Sequence, residues 1–199
     1  MIRLRFGILA LLLLVPVWVS AQTAQEKEAF NRIVASTTGM KTMTADFTET
    51  KHLEMLSDDV IQSGKLWYRS PSFMRWEYSK DFYGVYSPKG AYMVRGGKRD
   101  GGLTRGFSQT ARMVTGLISN LSDNIKDYKV SYAKDGKDLK ITAVPVSPKM
   151  KGMVDCVVMK FDIATCLIKS FEIRNKAGYT LITFSSVKRD AEMDSQLFN

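Results

Sequence analysis

The sequence predicts a mainly β chain with some α (an α+β fold), in which a strongly curved antiparallel sheet carries helices over its concave side. Three observations predict it. About ten short runs are rich in β-branched and aromatic residues, several with period-two alternation. The connections between successive runs are short and carry turn residues, which makes an antiparallel meander. Only two stretches repeat apolar residues at helical spacing. A single sheet of about ten strands is too wide to stay flat, and one that curls under helices encloses a space.

The chain opens on a leader. Arg3 and Arg5 precede an almost wholly apolar run from Phe6 to Val19, and Val19-Ser20-Ala21 fits a small-residue cleavage site. The run is about 14 residues, shorter than the roughly 20 of a spanning helix. Residues 1–21 are expected to be a cleaved secretory signal peptide, leaving residues 22–199 as a single domain. The formal charge of +9 falls to about +7 without the two leader arginines. Export turns that basic balance away from nucleic acid and toward anionic headgroups or an acidic protein surface; a merely solvated lysine face is the alternative.

Thr23 to Ser36 reads as the first helix. Thr23 and Glu26 form a capping box, Phe30, Ile33 and Val34 make an apolar stripe, and Gly39 sits at a C-cap position. Strand patterns follow over Met43 to Leu53, Val60 to Arg69, Phe73 to Tyr78, Tyr83 to Ser87 and Ala91 to Arg95. Ser57-Asp58-Asp59, Ser70-Pro71 and Pro88-Lys89-Gly90 supply turns between them. Met74, Trp76 and Tyr78 alternate with Arg75 and Glu77, the mark of a strand with one dry and one wet face. Aromatics gathered on one side of a sheet make either an ordinary core or the lining of an apolar cavity.

From Arg95 to Gly106 the sequence RGGKRDGGLTRG has no apolar period and predicts a mobile exposed loop. Met113, Val114, Leu117, Ile118 and Leu121 then recur at helical spacing, predicting an amphipathic helix over about Ser108 to Leu121. Gly116 weakens it by about 1 kcal/mol relative to alanine. Such a helix behind a glycine-rich loop is either a moving lid or a helix simply packed on the sheet. Strands resume over Tyr128 to Lys134, Asp138 to Val144, Val154 to Asp162, Cys166 to Arg174 and Tyr179 to Lys188, with Asp135-Gly136 and Ala177-Gly178 as hairpin turns.

Cys156 and Cys166 are the only cysteines, and export invites a disulfide. With Asp162 to Thr165 as the hairpin turn, Cys166 faces Phe161 and Cys156 lies opposite Phe171. The sulfurs are then about five strand positions apart, out of bridging reach, so two buried free thiols are expected. The single histidine, His52, stands in Glu49-x-x-His52-x-Glu54, but on a strand Glu49 and His52 point to opposite faces. No G-x-S-x-G elbow, dinucleotide fingerprint or phosphate loop occurs. The expectation is a binding protein and not an enzyme, with no catalytic residue, metal or cofactor.

The leader, the capped first helix, Ala45-Asp46-Phe47-Thr48-Glu49-Thr50-Lys51, Gly64-x-Leu66-x-Tyr68-x-x-Pro71 and Arg75-Trp76-Glu77-Tyr78 stand in a particular order. With the later Asp162-x-x-Thr165 and Asn175-Lys176-Ala177-Gly178 turns, that order resembles the periplasmic outer-membrane lipoprotein carriers of the LolA family. The resemblance covers nearly all of residues 22–199. It implies an incomplete antiparallel barrel covered by helices as a lid, with an apolar cavity for lipoprotein acyl chains. The implied partners are acylated lipoproteins, an inner-membrane ATP-driven lipoprotein-releasing transporter and an outer-membrane receptor, with no nucleic acid; the protein is expected to act in the periplasm as a monomer. Relatives of the fold also serve as lipid binders or envelope-stress sensors, which is the alternative function.

Under that resemblance the expected acyl-chain contacts are Phe47, Leu66, Tyr68, Met74, Trp76, Tyr78 and Met93 from the sheet, and Met113, Leu117 and Ile118 from the helix. Well-known carriers place a latch arginine immediately before the proline; here that position is Ser70, and Arg69 is the remaining candidate for the lid latch. Arg95, Lys98, Arg99 and Arg105 are expected to dock an acidic patch on a partner. An acyl chain of about 16 carbons represents on the order of 12 kcal/mol of desolvation. A carrier must offset most of that and still let go, for which re-packable methionines are suited.

Overall fold

A computed structural model describes residues 23–119, 121 and 125–198. The signal peptide expected over residues 1–21 lies outside the described residues. Among the described residues eleven strands form one antiparallel sheet. The first half comprises β1 (Thr42–Leu53), β2 (Val60–Arg69), β3 (Phe73–Ser79), β4 (Phe82–Ser87), β5 (Gly90–Arg95) and β6 (Lys98–Arg99). The second comprises β7 (Tyr128–Asp135), β8 (Asp138–Pro145), β9 (Cys156–Asp162), β10 (Ile168–Asn175) and β11 (Gly178–Arg189). The halves join where β1 pairs with β11, so the sheet runs from β6 to β7 and these two edges do not pair. The incomplete barrel and the mainly β class expected from the sequence are what the chain forms.

Alternation sets the two faces. Met74 and Trp76 are buried on the inner face while Arg75 and Glu77 stand outside. The outer face of the first half is also covered. A C-terminal 3-10 turn, Ser195–Phe198, lies over β3 and β4. Phe198 packs there under Arg69, whose guanidinium is 4.7 Å from its ring centroid and 4.3 Å from that of Phe73. Arg75 pairs with Glu77, lies 3.9 Å over the Tyr83 ring and reaches the Leu197 carbonyl.

The first helix, α1 (Ala24–Thr38), starts with the expected capping box: Glu26 N–H donates to Thr23 Oγ1 at 3.2 Å, and Thr23 N–H to Glu26 Oε2 at 2.8 Å. It packs on β7 and β8. Glu26 Oε1 accepts the Lys134 N–H at 2.9 Å, Phe30 stacks on Tyr132 at 4.4 Å, and Arg32 donates to the Ile163 carbonyl at 2.6 Å. Arg189 ties its far end by donating to the Ser36 hydroxyl and carbonyl.

Three expectations are corrected. The segment from Arg95 to Gly106 is no loop: Gly96 and Gly97, at φ 57 and 73, make a tight β5–β6 turn, and the second helix, α2, spans Gly101–Ser119. Asp100 starts that helix early, its Oδ1 accepting the Leu103 N–H at 3.0 Å. The β9–β10 register also differs. Cys166 stays in the turn at φ 56, β10 begins at Ile168, and Cys156 pairs with Arg174 rather than facing Phe171. Both thiols are free, as expected, but half-buried and not buried as expected. A short helix, α3 (Pro148–Lys151), interrupts the β8–β9 connection where no element was expected.

Gly64 shows how tightly the inner face is closed. It pairs with Phe47, and a Cβ there would lie 2.1 Å from the Glu77 carbonyl oxygen and 2.8 Å from Phe47 Cζ. Gly64→Ala is expected to lose about 1–3 kcal/mol by overpacking. At Gly106 in α2 a Cβ meets nothing within 4 Å, so Gly106→Ala is expected to gain about 1 kcal/mol from helix propensity. Urea denaturation of the two variants checks both signs.

Candidate functional site

Helix α2 presents two faces to the rest of the molecule. Along the first, Ala111, Val114, Thr115 and Ile118 are buried, and the helix packs on β3, β4 and β5. Glycine at position 84 is what admits it so closely: a Cβ there would sit 2.6 Å from Phe107 Cζ and 2.5 Å from Met93 Sδ. Thr104 Oγ1 accepts the Met93 N–H at 3.1 Å, pinning the N-terminal half to β5. The buried Thr115 hydroxyl is spent within the helix, donating to the Ala111 carbonyl at 2.7 Å.

The second face runs from Gly101 through Arg105, Ser108 and Arg112 to Met113 and Leu117, and it lines a partly open cavity of about 800 Å³. Across from it stand Asp127 and Tyr128, at the start of β7, with Met150 in α3 and Met153 and Val154 between α3 and β9. The cavity therefore lies between α2 and the edge strand β7, on the side where the sheet fails to close. Its volume is that of a small-molecule site, which spans roughly 300–1,000 Å³. Burial, with the Asp127 charge behind it, pushes the Tyr128 phenol above its ordinary value.

Of the expected acyl contacts, Met113 and Leu117 line this cavity. Phe47, Leu66, Tyr68, Met74, Trp76, Met93 and Ile118 are buried in the interior, and Tyr78 packs against it. These side chains pack on one another, Phe47 lying 4.4 Å from Trp76 and 5.5 Å from Tyr78 between ring centroids. Sequence reasoning missed Arg112, Tyr128, Met150, Met153 and Val154. One signal was present: Ser147-Pro148 opens a helix with proline at its first position, and Met150 falls within it.

The basic set divides. Arg95 and Arg99 stand on the β5–β6 hairpin, stacked over Phe82 at 4.8 Å and Tyr92 at 4.5 Å, with exposed Lys98 between them. Arg105 belongs to the cavity wall instead. Arg69, the latch candidate, stacks on Phe73 and Phe198, and β2 pairs with β1 and β3 without a bulge that would turn it inward. His52 contacts Asp59 at 2.8 Å and stacks on Tyr179. No cluster of metal-ligating side chains occurs among the described residues, and among them no helix is long and apolar enough to cross a membrane.

One buried polar group stands apart on the inner face. Glu49 is 5% exposed; its Oε2 accepts the Tyr78 hydroxyl at 2.6 Å and its Oε1 lies 3.3 Å from Lys51 Nζ. Burial first, and the Glu49 charge second, drive the Tyr78 phenol far above its ordinary value.

No family model and no curated protein matches the sequence. Solved structures similar to it include a DUF1329 family protein from Desulfovibrio piger, at 10% identity and a TM-score of 0.46, covering 89% of this chain and 98% of that one. A LolA superfamily protein from Nitrosomonas europaea has 7% identity and a TM-score of 0.44, covering 85% and 96%. MucB has 12% identity and a TM-score of 0.47, over 89% of this chain and 63% of its own. At such identities the likeness concerns the outline of the chain, and nothing of its function is taken from it.

The Tyr78–Glu49 pair carries a pH signature. An unfolded phenol loses its proton near 10.0 while folded Tyr78 retains it, so stability falls as pH rises above that value. Tyr78→Phe is expected to cost about 1–3 kcal/mol near neutrality, by leaving Glu49 short of a donor. It is also expected to flatten the alkaline limb of the stability–pH curve, measured by denaturant midpoints at successive pH values.

Proposed function

We propose that this protein is a periplasmic binding protein, not an enzyme, that shelters lipoprotein acyl chains and carries them from the inner to the outer membrane. The single observation that supports it is the cavity of about 800 Å³ beside α2, with Met113 and Leu117 facing Met150, Met153 and Val154 across it. Thioether side chains repack around a flexible chain without a fixed shape, which suits a cargo that must be released again. The leader over residues 1–21 supplies the route of export.

In this reading an ATP-driven transporter of the inner membrane loads the cavity and an outer-membrane receptor empties it. The basic β5–β6 hairpin, Arg95, Lys98 and Arg99, is the docking surface for an acidic partner. Its arginines are held flat on aromatic rings, so the charge is presented in a fixed place.

Gentle purification from the cell envelope followed by native mass spectrometry is expected to show acylated protein bound; a protein that emerges free of any acylated species sinks the reading. Met153 is 43% exposed, so replacing it leaves the core alone. Met153→Glu puts a carboxylate against the acyl chain and is expected to weaken binding of a triacylated lipopeptide about tenfold. Reversing Arg95 and Lys98 to Glu is expected to slow association with the transporter at low salt and to flatten its salt dependence, as read by stopped flow.

A further inference from the structure

The cavity lining changes character along α2. From Gly101 to Arg112 every lining residue of the helix is polar or glycine; from Met113 onward the lining is Met113, Gly116 and Leu117. Arg105 and Arg112 stand seven residues apart, two turns of one face and about 10 Å along the axis. Neither has an ion-pair partner among the described residues. Asp127 is the one carboxylate among the described lining residues, so two arginines line the space against a single acid. The arginine stems can lie along the apolar wall while their heads gather at the polar end.

An uncharged acyl chain uses only the methionine and leucine end of such a space. We infer that the cavity takes an anionic amphiphile, its chain against Met113, Leu117, Met150 and Met153 and its negatively charged headgroup on Arg105 and Arg112. The inference rests on the reading that this cavity holds acyl chains, and it adds to lipoproteins a second class of occupant, lipids bearing a phosphate-type head. Guanidinium forks match phosphate oxygens in pairs, and such charge-assisted bonds are the strong ones.

Native mass spectrometry with three probes tests this: palmitoyl-oleoyl phosphatidylglycerol, the neutral diacylglycerol with the same chains, and inorganic phosphate. The wild type is expected to hold the phosphatidylglycerol about tenfold more tightly than the diacylglycerol, and phosphate alone far more weakly than either. The double variant Arg105→Gln, Arg112→Gln, at exposed positions, is expected to lose the preference while retaining diacylglycerol. Equal binding of the two lipids overturns the inference and leaves the acyl carrier standing. A preference that survives in the double variant also overturns it, since the arginines would not be its source. Phosphate bound as tightly as the lipid reduces the site to one for a free anion, which overturns it too. Binding of neither lipid overturns the inference, and the acylated protein sought on the envelope-purified chain then decides the carrier reading separately.

Discussion

An antiparallel sheet this wide must coil, and once coiled its inner face needs either pairing across the seam or a cover. Here the seam between β6 and β7 stays unpaired, so helices supply the cover. They do so unequally. Helix α1 is bound to the second half through Glu26, Phe30 and Arg32 and clasped at its far end by Arg189. Helix α2 lies over the first half, with Phe107 set down on Gly84 and Thr104 bonded to β5. The space left over is the cavity between α2 and β7.

That arrangement makes α2 a wall with two chemistries. Its inward stripe belongs to the core and fixes where the helix sits. Its other stripe belongs to the cavity and fixes what the cavity attracts. Each stripe recurs at three- and four-residue steps, so the two interleave through Arg112, Met113, Val114 and Thr115 without conflict. The floor opposite comes from the β8–β9 connection, where α3 carries Met150 and the chain returns through Met153 and Val154. Loop-borne residues on the far side of a helix-borne wall are a usual way for a rigid scaffold to hold a binding site.

Much of this was legible in the residues and part was not, for physical reasons. The Thr23–Glu26 box and the Met74, Trp76, Tyr78 alternation are local signals, and the chain uses them as written. The start of α2 was hidden because its first two turns carry three glycines and an arginine at exposed positions, leaving only Thr104 and Phe107 to meet the sheet in place of an apolar period. Only Asp100, a capping residue, marks the true beginning. Inner-face residues such as Leu66 and Met74 were readable as buried, yet alternation cannot tell a packed interior from an empty one. The glycines at 64 and 84 let Phe47 and Phe107 settle onto the sheet and fill it. The facing walls of the cavity are separated by some forty residues between Met113 and Met153, a pairing that no local pattern announces.

An unclosed sheet also has two bare rims, each a template on which a neighbouring molecule's strand might grow. Both rims here are poor templates. One is the two-residue β6, made of an exposed lysine and arginine. The other, β7, exposes Lys129 and Lys134, and the Lys134 amide is already taken by a carboxylate from α1. Joining rim to rim would set cation against cation with few free amides to gain. A protein that must keep one side ajar is thereby protected against clumping at the very place where its ladder stops.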